Sequence, residues 1–200
     1  MVTNDNGPLP QGDLRLLDSD IARQLLASTV PARVGYTALD GTPRVVPSWF
    51  HWTGEELVMP TFVRAPHVAR PAARLRALRA HPDVALSIDT ESFPPHVLLV
   101  RGRAVITEVD GIVPEYALAA HRYMGDEQAA AYLGQADKPG TRMARIAVRP
   151  PWVGLLRHPA PGGHVRMSGP PLRDSDVATR LAAQDLVRAR AFYGIGQAVT

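Results

Sequence analysis

The chain has no cysteine in its 200 residues. That excludes disulfides, thiolate metal sites and cysteine nucleophiles together. Lysine is nearly missing: Lys138 is the only one among 22 basic residues, so arginine carries the positive charge. Aromatic residues make up 6% of the chain. They are too few, and too little interleaved with the arginines, for the stacking platform that single-stranded nucleic acid needs. There is no run of eighteen apolar residues, so no transmembrane helix is expected. The N-terminus, MVTNDNGPLPQGD, lacks the basic-then-apolar order of a signal peptide, and a cytoplasmic location is the expectation.

Familiar catalytic motifs are missing too. There is no G-x-S-x-G, S-x-x-K or H-E-x-x-H. Neither a P-loop nor a Rossmann fingerprint after a strand occurs. The seven histidines (51, 67, 81, 96, 121, 158 and 164) are scattered, without the clustering that metal ligands show, and no metal site is expected. Glu55-Glu56 falls in a turn and reads as a solvated pair. A catalytic carboxylate pair would need a cleft that nothing in the sequence advertises.

What is present is a chain 46% apolar with a net charge of +3, enough for the core of one domain. The first dozen residues are polar and rich in Pro and Gly, and are expected to form a disordered arm over 1–13. A helix follows, capped by Asp18 or Ser19, with Ile21, Leu25 and Leu26 on its apolar face. Asp40-Gly41 and Thr53-Gly54 then punctuate alternating runs and predict three consecutive antiparallel strands. Residues 66–81, PHVARPAARLRALRAH, form the most helical stretch, with Pro71 in its first turn. Strands are expected at DVALSIDT and HVLLVRGRAVITEV, with a bulge or close approach at Gly102. A helical region over 114–133 breaks near Gly125, where Asp126 can cap its second half. ARIAVRPPWVGLLRH is a last strand or strand pair. The barrel domain spans 14–160, and 161–200 reads as a linker and C-terminal helix. Many short strands with few crossover helices predict a mainly β, α+β fold, a barrel rather than a parallel sheet.

Two features point to a ligand. The strand PRVVPSWFHW places Val45, Pro47, Trp49 and His51 on one face and Val46, Ser48, Phe50 and Trp52 on the other. Both faces are bulky, which suits a strand buried on both sides. Yet Pro47 has no N–H to give a ladder, so the neighbouring strand is expected to diverge there. The second feature is the helix with Arg70, Arg74, Arg76 and Arg79. Its arginines are either stems covering apolar surface or, with Thr61 at the preceding strand end, the donors of an anion site.

GYTALDGTPRVVPSWFHWTGEELVMPT, an Arg-rich helix closing on LRAHPDVALSID, and then VLLVRGRAVI together resemble the pyridoxamine 5′-phosphate oxidase-like flavin-binding split-barrel family, with its relatives that use the deazaflavin F420. The likeness spans about Ile21 to Val109, and more loosely reaches Trp152. It implies a six-stranded antiparallel split β-barrel with flanking helices, forming a homodimer with FMN, or alternatively F420, in grooves between subunits.

The resemblance also implies roles. Arg44, Val46, Pro47, Ser48 and Trp49 run along the cofactor ring, with backbone N–H groups near Val46 and Ser48 close to it. Thr61 matches the phosphate-contacting residue at the strand end, and Arg74 matches the family's lysine. The segment from Phe62 to Ala73 is longer than the usual phosphate loop, and Ala72-Ala73 replaces the customary Ser-Arg. Arg64 or Arg70 is then expected to supply the missing cation. Trp49, His96 and Trp152 are expected to bound a small-molecule substrate. No catalytic side chain is assigned. The activity implied is an FMN-dependent oxidoreductase, with an F420H2-dependent reductase as the alternative. A non-catalytic flavin or haem protein is the third reading, with His164 as the candidate axial ligand.

Overall fold

The structure, a computed structural model, describes residues 9–68 and 70–157. The linker and C-terminal helix expected over 161–200, residues 1–8 of the expected arm, and His164 lie outside them.

Local chemistry explains the first elements. Ser19 caps α1 (Asp20–Ala27) by accepting from the Ala22 N–H, and Leu25 and Leu26 turn inward. β1 (Ala32–Thr37) and β2 (Pro43–Ser48) form a hairpin around Asp40-Gly41, where Gly41 has φ +79°. The next hairpin turns at Thr53-Gly54 and pairs β3 (His51–Trp52) with β4 (Leu57–Val58). β5 (Thr61–Arg64) continues β4 after Pro60. Then come α2 (Ala73–Ala80), β6 (Asp83–Asp89), β7 (His96–Asp110), α3 (Pro114–Met124), α4 (Asp126–Ala136) and β8 (Arg142–Arg157).

These eight strands are one antiparallel sheet in the order β2-β1-β6-β7-β8-β4-β3, with β5 also on β8. The six expected strands are recovered as six runs, four continuous and two interrupted: 43–52 at Trp49-Phe50, and 57–64 at Met59-Pro60. β2 and β3 end the order on opposite sides, yet only two residues separate them. The sheet must therefore curl until its ends meet, which is what makes it a barrel. Inside lie Phe50, Leu57, Leu75, Ile88, Leu98 and Ile146, all nearly inaccessible to solvent. A smaller cluster of Val113, Tyr116 and Met143 sits under α3 and α4.

Three local differences have physical reasons. α2 begins only at Ala73, because Ala72 offers no capping side chain and Pro71 sits upstream of the helix. Asp126 is the first residue of α4 rather than its cap, and its carboxylate instead lies 2.9 Å from His121 Nδ1. Residues 9–13 are held rather than free. The Gln11 side chain donates to the Leu155 carbonyl (3.0 Å) and accepts from the Leu155 N–H (2.9 Å), and Leu9 packs on the core. The Gly102 expectation is met: the β7–β8 register shifts between Arg101 and Arg103. A Cβ at Gly102 would lie 2.7 Å from Val148 Cγ1 and 3.0 Å from the Arg149 carbonyl.

Candidate functional site

The site is built on a hairpin that separates. His51 pairs with Val58 and Trp52 with Leu57. The same register carried further would set Ser48 against Thr61 and Val46 against Val63. It is not carried further. β2 stays on β1, and β5 crosses to β8, with Thr61 opposite Ala144. Pro47 and Pro60 lack the N–H groups that such a continuation would use. The result is an opening between β2 and β5 with Ser48 on one lip and Thr61 on the other strand.

The inner end of the opening is closed by α2. Val46, Ser48, Tyr36, Met59, Arg74 and Leu78 are among the residues around a cavity of about 10 Å³, room for one water. Val46 and Ser48 point inward as the alternation requires, and Val45 and Pro47 outward, with Val45 69% exposed. Arg74 Nε is buried without a hydrogen-bond partner, and Arg74 makes no ion pair among the described residues. Burial pushes its pKa down from the ordinary arginine value, and the neighbouring Tyr36 hydroxyl opposes that shift.

Hydrogen-bond parity decides which backbone groups of β2 are available. The Ala38 N–H donates to the Thr42 carbonyl. In an antiparallel pair the residues that exchange hydrogen bonds alternate. Counting on from that bond, Arg44, Val46 and Ser48 turn their peptide groups toward β1. Pro43, Val45 and Pro47 turn theirs outward, and of these only Val45 carries an N–H. The outward donor on this edge is therefore Val45, a residue the sequence reading had not singled out.

The remaining candidates are dispersed. Arg44 is held by Asp40 (3.1 Å) and Thr42 at the hairpin end. Arg64 donates its Nε to the Gly140 carbonyl (2.7 Å), and Arg70 is exposed just before Pro71. One face of the Trp49 ring is covered: it stacks on Tyr123 at 4.8 Å with the planes 3° apart. Trp152 is four strands away from β2 in the sheet order, on the outer face of β8, under the Arg101 guanidinium at 4.0 Å. His96 starts β7 opposite Arg157, and its N–H donates to Thr90 Oγ1. The structure thus gathers Val46, Ser48 and Arg74 around one cavity, places Thr61 across the opening, and leaves Trp152 and His96 elsewhere on the chain.

Outside the opening, a straight row of register partners runs Val45, Gly35, Ala85, Arg101, Trp152 across five strands. Gly35 and Ala85 have almost no side chain, so the row from Val45 to Arg101 forms the floor of an outward trough of about 560 Å³, bordered by Arg44, Asp83 and Arg103. Arg122 was also missed. It donates to the carbonyls of Leu26 and Phe50, joining α1, α3 and the Trp49-Phe50 break. Nothing in the sequence distinguished it from the other arginines. Among the described residues, no group of three or more His, Asp or Glu could hold a metal ion, and no helix is long and apolar enough to cross a membrane.

No family model matches the sequence, and no curated protein matches it. Solved structures do. An F420 reductase is 25% identical, with a TM-score of 0.50, over 66% of this chain and 94% of that one. A conserved hypothetical protein from Mycobacterium tuberculosis is 17% identical, with a TM-score of 0.51, over 84% of this chain and 98% of that one. A protein of the pyridoxinephosphate oxidase family from Clostridium acetobutylicum is 15% identical, with a TM-score of 0.42, over 69% and 87%. The chain is thus similar in fold, an α+β antiparallel split barrel, to the F420 reductase and to the mycobacterial protein.

Proposed function

We propose that this chain binds a flavin-type cofactor at the opening between β2 and β5 and works with it as an oxidoreductase on a small organic substrate. The observation that carries the reading is the Arg74 guanidinium, half-buried beside Val46 and Ser48 with no counter-charge among the described residues and with its Nε inaccessible and unsatisfied. Such a group is destabilising unless something neutralises it. A cofactor phosphate has the charge and the acceptor geometry to do so. Thr61 adds a hydroxyl donor, and the exposed Arg70 adds a cation from the long connection. The Arg64 Nε already belongs to Gly140, which leaves its terminal nitrogens.

A cavity of about 10 Å³ has no room for a ring system. The ring therefore lies along the outward edge of β2, where the Val45 N–H is the available donor. Bound there, such a cofactor supplies hydride transfer. The chain's own part is to fix the phosphate, align the ring through the β2 edge, and keep water from one face. In this reading a homodimer completes the groove, with Trp152, four strands from β2 in its own chain, contributed by a second copy.

F420 is the reading supported by the likeness to an F420 reductase, and the two cations of segment 62–73, Arg64 and Arg70, suit its acidic tail. FMN is the second reading, supported by the resemblance of the PRVVPSW strand. Fluorescence titration of the full chain with F420 and with FMN tests both. Saturable binding of one, weakened by about 1.5–3 kcal/mol in Arg74→Ala, is the expected outcome. No binding of either, or unchanged affinity in the variant, overturns the site. Binding without reduction of enoyl or quinone-like compounds would leave a cofactor carrier rather than an enzyme.

A further inference from the structure

A second cleft lies between α1, β3 and α3. Its lining is Arg23, Leu26, Ala27, His51, Trp52, Leu118 and Arg122, and its volume is about 370 Å³, within the range of small-ligand sites. The lining has three features. It contains two guanidinium groups and no carboxylate. Its walls are otherwise apolar: Leu26 is buried, Trp52 packs on the core, and Leu118 stands 53% exposed at the rim. Its deeper cation, Arg122, donates to two backbone carbonyls, lies beside Tyr123, and makes no ion pair among the described residues. Arg23 has only a long, exposed pairing with Asp18 at 3.6 Å.

These features select a ligand class. A cation pair without a counter-charge recognises an anion, and a guanidinium fork suits a planar carboxylate. The apolar wall of Trp52, Leu26 and Leu118 favours an apolar body attached to it. His51 adds a polar ring to the lining; burial and then the nearby Arg122 hold its pKa below the usual histidine value, with Glu115 acting in the opposite sense. We propose that this cleft is a binding site for a small amphipathic carboxylate, an aryl or short branched-chain acid, separate from the cofactor opening. The separation is defined by the sequence of β2 and β3: Val46 and Ser48 line one site, His51 and Trp52 the other, and Phe50 between them is sealed in the core with its carbonyl held by Arg122.

The probe is benzoate, titrated into the full chain by calorimetry, with benzamide as its uncharged counterpart. One saturable benzoate site is expected, with benzamide at least about tenfold weaker, a difference of about 1.4 kcal/mol. Leu118→Asp places a negative charge at the rim from an exposed position and should abolish benzoate binding. Arg23→Glu should weaken it, also from an exposed position. Both variants should keep the wild-type melting temperature and wild-type F420 or FMN affinity. The inference is overturned by an absence of saturable binding, by equal affinity for benzamide, or by unchanged binding in both variants. Displacement of F420 or FMN by benzoate also overturns it, since that would put the acid in the cofactor site. Because the readout is benzoate binding, failure here leaves the cofactor proposal standing, and the reverse holds.

Discussion

The Arg122 guanidinium lies over the Phe50 ring at 4.7 Å and donates to the Phe50 carbonyl. This one side chain satisfies the backbone at the point where strand 43–52 is interrupted, and also the Leu26 carbonyl at the end of α1. Phe50 itself is fully buried. Arg122→Ala strips partners from two carbonyls that α3 and α1 cover. It is expected to destabilise the fold by about 2–4 kcal/mol, one desolvated acceptor at a time. Urea denaturation checks this, and a loss under 1 kcal/mol would mean that water replaces the guanidinium freely.

Arg74 should behave in the opposite way. Replacing a half-buried cation that has no counter-charge with an apolar side chain of similar length is often neutral or stabilising. Arg74→Met is therefore expected to leave the melting temperature of the cofactor-free protein unchanged or raised while it weakens F420 or FMN binding. A variant that loses stability and keeps its affinity would assign Arg74 to the scaffold.

The proposed dimer has a test on the outer trough. Val45 is 69% exposed, and its row continues through Gly35 and Ala85. Val45→Glu places a charge on that surface without touching the core. Sedimentation should show a dimer for the parent chain and a monomer for the variant, with cofactor affinity lost at the same time. A monomeric parent would leave Trp152 with no part in the site.

His51 sets a pH response. Its folded pKa lies below the ordinary 6.5, first because it is buried and then because Arg122 is close. The unfolded chain then binds the proton more readily than the folded one, so the contribution to stability is present above pH 6.5 and is lost as pH falls below it. His51→Gln should flatten this part of the stability profile. Thermal melts at successive pH values below 7 check it, and an identical slope in the variant would assign the response to another group.

Much of the fold was legible because local chemistry specified it. Asp40-Gly41 and Thr53-Gly54 marked the hairpins, Ser19 marked a helix start, and Gly102 marked the bulge. The divergence at Pro47 was legible too, since a missing N–H is a property of the residue and not of its surroundings. Other features depend on partners distant in sequence. Arg122 reaches Leu26 and Phe50 across 96 and 72 positions, and nothing in its own neighbourhood announces that. The Trp49 ring was assigned to the cofactor floor by resemblance, whereas its stacking on Tyr123 exists only once α3 packs against the strand. The outward donor at Val45 needed the register of the hairpin, which alternation alone does not supply.

An opening in a barrel carries a hazard of its own. It exposes strand edges, and an exposed edge is a template on which another chain can add a strand. β2 meets that hazard with the residues that created the opening. Pro43 and Pro47 stand at alternate positions on its outward side, so an invading strand would find a single N–H, that of Val45. Pro60 interrupts the facing run just before β5 begins. The gap can stay wide enough for a ligand and still be a poor place for a second copy of the chain to zip on.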